Sequence, residues 1–345
     1  MNRLAWPYPA IPTGVGSMPG TDAREATAIV VGELGSFPHV VELPARGPGA
    51  DPVGRTASLL AGVDRAFEVE TTVTGWRVGH TGQAVLRRAR AWLSQDLEVL
   101  EESAGSHRGP VKIQVVGPLT LAARIEDPAG ESLLRDSGAV AELAFACATA
   151  FTDLISRMNR AFPHADVVVQ LSEPDVPAVV AGRVRTSSGR LTYRSVEPAV
   201  VQGHLTTVLA AITAAGALAG VRCAASQPPV QMFIDAGAQF VAIDLDRELP
   251  SDEALPRAWE SGVGLMLGCV PHVSLDDLVM GDREASAMLR TFMDNWGFGD
   301  VPANVALTPS GGLANVIPAQ ARVAIERCVR IGSIVRDEHP EVVGG

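Results

Sequence analysis

Acids, thiols and glycines close most of the short apolar runs in this chain, and these are the residues equipped to do chemistry. Glu42, Glu173 and Asp244 each end or follow such a run, and so do Cys223 and Cys269. Glu173, just before Pro174, reads either as a ligand or base, or as a carboxylate bracing a loop arginine. Gly14-Val-Gly-Ser-Met-Pro-Gly20 has its third glycine one residue late for a dinucleotide fingerprint, and Pro19 sits in the turn. The better reading is a loop that brings backbone N–H groups and Ser17 to a ligand; a plain turn is the alternative. The four cysteines, 147, 223, 269 and 328, form no CxxC pair, so neither a disulfide framework nor a ribbon-type zinc site is indicated. Reduced thiols in the cytoplasm are expected. Lys112 is the one lysine, and it opens a strand, so a Schiff-base mechanism has almost no candidate.

The runs that carry these residues lie at about 11–16, 39–43, 112–116, 166–171, 220–223, 239–243, 263–267 and 304–307. Helical periodicity fills the stretches between them, as in 84–102, 136–161 and 318–335. Eight alternations of strand and helix predict a single (β/α)8 TIM barrel over 1–338, with a frayed tail at 339–345. The polar residues after each run should then meet at one mouth. Thr21 is expected to cap the first helix, and Asp51 and Arg55 to cap and pair on the next.

With 345 residues and 47% apolar content, the chain can build a large core. A net charge of −11 argues against nucleic acid, whose binding needs a basic stripe. No signal peptide is visible. The most hydrophobic window, 205–221, reads as a buried helix running into a strand, so no membrane partner is expected.

Four segments resemble the catalytic barrel of cobalamin-independent methionine synthase. Gly16-Ser-Met-Pro19 looks like its Gly-Ser-Phe-Pro turn, and Val116-Gly-Pro-Leu-Thr120 its Thr-Gly-Pro-Val-Thr segment. Gln170-Leu-Ser-Glu-Pro174 is similar to Gln-Ile-Asp-Glu-Pro, and Thr308-Pro-Ser-Gly-Gly-Leu313 to Asn-Pro-Asp-Cys-Gly-Leu. The superfamily is shared with uroporphyrinogen decarboxylase. The resemblance implies methyl transfer from a methyl-folate to a small thiol such as homocysteine, activated on zinc. Of the implied zinc ligands, the histidine falls on Val221, the first cysteine on Cys223, the glutamate on Asp244 and the last cysteine on Gly311. Cys269 or His272 could complete the shell, and the family's proton-donating histidine aligns with Cys269. Cys223 and Cys269 suit equally well the role of small buried hydrophobes, and His272 that of a loop histidine.

Substrate contacts carried over from the resemblance are Gly16, Ser17, Glu42, Gly117, Ser172 and Glu173. Ser172 stands where the family has an aspartate, and a hydroxyl offers no counter-charge to an amino group. Arg46 falls near a glutamate that grips the substrate amine, and its guanidinium would suit an anionic group instead. Two further readings stand beside methyl transfer. One is a metal-free lyase acting on a polycarboxylate through Arg46 and Arg124. The other is a non-catalytic descendant that binds a ligand or a partner protein. The oligomeric state is left open.

Overall fold

The computed structural model describes residues 6–250, 253–271, 282–297 and 303–337. Ten strands occur among them: β1 (Ile11–Pro12), β2 (Val69–Thr71), β3 (Trp76–Val78), β4 (Pro110–Val116), β5 (Ile125–Glu126), β6 (Asp166–Ser172), β7 (Leu218–Arg222), β8 (Phe240–Asp244), β9 (Gly264–Val270) and β10 (Val305–Pro309). Seven form one all-parallel sheet in the order β1-β10-β9-β8-β7-β6-β4. Helices return the chain between them, as parallel pairing requires. A separate three-stranded sheet, β2-β3-β5, lies among the connections that follow residue 42 and β4.

Seven of the eight expected runs are strands of the large sheet. The eighth, 39–43, is bracketed by Pro38 and Pro44, and its hydrogen bonds are divided between two neighbours. Val40 N donates to Lys112 O and Lys112 N to Pro38 O on one side; Glu42 N donates to Gly16 O and Met18 N to Glu42 O on the other. Two isolated parallel bridges result, His39 with Lys112 and Ser17 with Glu42. On the first run, Gly16 adopts φ 138°, which only glycine takes readily, so regular pairing cannot continue through it.

The sheet is strongly curved. β1 and β4 are its opposite ends, yet Lys112 Nζ of β4 donates to Val15 O beyond β1 at 3.0 Å. Period-2 alternation then separates two layers. Trp6, Ile11, Phe37, Val168, Phe240, Ala242, Met266 and Ala306 make one small cluster on the inner face. Val167, Val169, Leu171, Val221, Val241, Ile243, Leu265 and Leu267 join the larger cluster that packs the sheet against its helices.

Helix ends follow local chemistry. The first helix, Ala23–Glu33, is capped by Asp22 and not by Thr21: the carboxylate accepts from the N–H groups of Arg24 and Glu25. Asp51 caps Pro52–Val63, as expected. Ser137–Ala161 is long and apolar enough to cross a membrane by composition, but half of its most apolar window is buried in the fold. Residues 205–221 run from the helix Pro198–Ala214 into β7, a helix running into a strand.

Candidate functional site

The inner face becomes polar towards the carboxyl ends of the strands. Lys112 is fully buried and donates to Gln170 Oε1 at 3.0 Å as well as to Val15 O. Burial, reinforced by the Arg222 charge and opposed by Glu42, lowers its pKa to about 7. Gln114 Nε2 donates to Val40 O at 2.9 Å, while its Oε1 has no partner among the described residues. Arg222, the last residue of β7, reaches Asp244 of β8: Nη2 lies 2.9 and 2.7 Å from the two carboxylate oxygens. Glu42 is buried 3.8 Å from Arg55, which also donates to Val41 O. Burial pushes the Glu42 carboxyl up, against the pull of Arg55 and Lys112.

The expected site residues divide by strand parity. Ser172 and Asp244 lie on the inner face, whereas Cys223 and Cys269 belong to the cluster between sheet and helices. Burial pushes the Cys223 thiol up to about 12. Cys269 interacts with Cys328 of the helix Pro318–Asp337, and its Sγ lies 3.9 Å from Thr308 O. His272 lies outside the described residues.

Glu173 is fully buried and also turned away from the inner face. It accepts from Leu119 N at 3.0 Å, Thr120 N at 2.8 Å and the Thr120 hydroxyl at 2.6 Å. It therefore caps the short helix Pro118–Arg124 and makes no ion pair with an arginine among the described residues. Desolvation raises its pKa to about 7 despite these donors. Gly117 allows the approach, since a Cβ there would lie 2.2 Å from Glu173 Oε1. Ser17 is half-buried, and its Oγ packs against Gly312.

Arg46 is committed elsewhere. It pairs with Asp96 at 2.8 Å, both side chains being nearly buried, and donates from Nε to Thr21 O. Arg124 is held by Asp175 through both Nε and Nη2.

These positions fit a thiol-activating zinc poorly. Such a site needs three protein ligands converging at about 2.0–2.3 Å. Asp244 has both oxygens engaged by a guanidinium, and the two thiols point into apolar packing. Among the described residues no cluster of three or more His, Cys, Asp or Glu could hold a metal.

A cavity of about 680 Å³ opens beside the small sheet. Pro44, Val53, Val73, Trp76 and Ala123 give it apolar walls; Arg124, Arg185, Glu126 and Tyr193 line it with polar groups. The Trp76 indole N–H donates to Asp51 at 3.0 Å, which fixes the ring. Its size is that of a small-molecule site.

Sequence reasoning missed Arg222 and set Lys112 aside. Alternation in Leu218-Ala-Gly-Val-Arg222 could have shown the first, because the inner face there carries 218, 220 and 222. Lys112 is the third residue of β4, not its first, and its side chain is long enough to reach across the sheet.

No family model matches the chain, and no curated protein matches it. Among solved structures, it is similar to a B12-independent methionine synthase from Shewanella sp. W3-18-1, determined in complex with selenomethionine. The TM-score is 0.62 at 11% identity, covering 96% of this chain and 99% of that one. An uncharacterized protein aligns at 12% identity over 55% of this chain and 47% of its own, with a TM-score of 0.27. The first likeness establishes a related fold: mixed α/β, with a curved parallel sheet.

Proposed function

We propose that residues 39–42 complete a closed (β/α)8 barrel of the methionine synthase type, and that the chain is an enzyme acting on a small anionic organic molecule without a thiol-activating zinc. Closure is supported by the two bridges of 39–42 and by the Lys112 to Val15 bond between the sheet's end strands. The observation that carries the metal-free reading is the Arg222–Asp244 pair. Where the resemblance asks for a carboxylate on zinc, both carboxylate oxygens are engaged by a fixed cation of this chain.

In this reading the protein supplies charge and position. Arg222, anchored by Asp244, presents a preorganised guanidinium at the mouth, and such fixed charges stabilise anionic states without reorganisation. The cavity beside Trp76, with Arg124 and Arg185 in its lining, is a second place where an anionic molecule could bind; Arg222 does not line it. This favours the metal-free alternative over methyl transfer to a thiol, although through Arg222 and not through Arg46.

Metal analysis of the purified, reduced protein tests the reading, alongside an assay for methyl transfer from methyl-folate to homocysteine. Substoichiometric zinc, unchanged in Cys223→Ala and Cys269→Ala, and no thiol methylation are expected. Stoichiometric zinc that depends on both thiols would overturn it.

A further inference from the structure

Arg222 uses one nitrogen for Asp244 and leaves the others free. Its Nε and Nη1 have no partner among the described residues, and its side chain keeps 11% exposure against 3% for that of Asp244. Directly across in register, on the same inner face, stands Ser172 of β6, half-buried and likewise without a side-chain partner among the described residues. A fixed guanidinium with open N–H donors and a neighbouring hydroxyl can each donate to one oxygen of a carboxylate.

The surrounding guanidiniums are already matched, Arg46 by Asp96, Arg55 by Glu42 and Arg222 by Asp244, while burial lowers the Lys112 pKa to about 7. The N–H groups of Arg222 that Asp244 leaves open and the Ser172 hydroxyl, and not an excess of charge, are therefore what would draw an anion.

The same inventory bears on a substrate amino group. Asp244 is taken by Arg222, Glu42 lies against Arg55, and Glu173 points away into backbone amides. Among the described residues no free carboxylate of this face remains to receive an ammonium, and Arg222 would repel one.

We infer that Arg222 and Ser172 form a subsite for the carboxylate of an organic acid that lacks an α-amino group. This rests on the metal-free reading and narrows its substrate class. Titration calorimetry of the full chain with butyrate and with 2-aminobutyrate tests it. Butyrate should bind saturably, and 2-aminobutyrate at least tenfold more weakly. Arg222→Lys, which keeps the charge and loses the open guanidinium N–H donors, should weaken butyrate at least tenfold, and Ser172→Ala several-fold. If Arg222→Lys does not fold, Ser172→Ala carries the test alone. Equal affinity for the two acids, no butyrate binding, or variants that bind as the parent does would overturn the inference. Thiol-dependent zinc would instead sink the metal-free reading whatever butyrate does; a metal-free protein that ignores butyrate sinks only the subsite.

Discussion

The sole lysine offers an unusually direct experiment. Lys112 has an ordinary pKa of 10.5, lowered to about 7 in the folded chain by burial first and the Arg222 charge second. The unfolded chain therefore holds a proton through a range in which the folded chain has released it. Where the unfolded state binds more protons, stability rises with pH, so the contribution is greatest above the unfolded pKa and is lost as pH falls through about 7. One proton of difference corresponds to about 1.4 kcal/mol per pH unit. Between about pH 7.5 and 9 the parent should gain about 2 kcal/mol over Lys112→Met, whose side chain does not titrate. Urea unfolding of both proteins across that window measures the difference, and thiol ionisation common to both cancels. The charge state can also be seen directly. With a single lysine, uniform 13C-lysine labelling gives one Cε resonance, expected to titrate near 7. A resonance that moves only above about pH 10, the range of a free lysine, would refute the cross-sheet burial from which this prediction follows.

Three other outcomes follow from the packing. Gly117→Ala places a Cβ 2.2 Å from Glu173 Oε1, so it should lose roughly 1–3 kcal/mol in thermal or urea unfolding as the cap is displaced. Arg46→Ala strands the buried Asp96 carboxylate and should cost about 3–5 kcal/mol of stability while leaving anion affinity measured by calorimetry unchanged. Cys147, Cys223, Cys269 and Cys328 are all buried, so a thiol reagent should label none of them in the native protein and all of them in urea.

Much of the architecture was legible because parallel strands buried on both faces read as continuous apolar runs. Asp166–Ser172 and Gly264–Val270 could hardly have been anything else. Residues 39–43 were found as a run, but nothing in their composition says that the hydrogen bonds split between two neighbours. The Glu173 motif was also visible, although its partners were not. A carboxylate before proline looks the same in sequence whether it faces a substrate or three donors of a helix start 53 residues away.

The zinc reading met a more basic obstacle, the two-residue period of a strand. Motif carry-over assigns residues by type and order, while a strand assigns them by parity, and a shift of one position moves a side chain to the opposite face. The resemblance directed attention to 221 and 223, which pack under the helices; the residue between them, Arg222, is the one on the inner face of the sheet. At 11% identity to a solved structure of similar fold, sequence alone does not fix alignment gaps of a single residue. Burial breaks the tie. A guanidinium cannot be accommodated in the apolar shell without a partner, whereas a thiol can. Once the strand is known, Val-Arg-Cys can therefore be oriented from physics: the arginine must face the acid of β8, and both its neighbours must then face away.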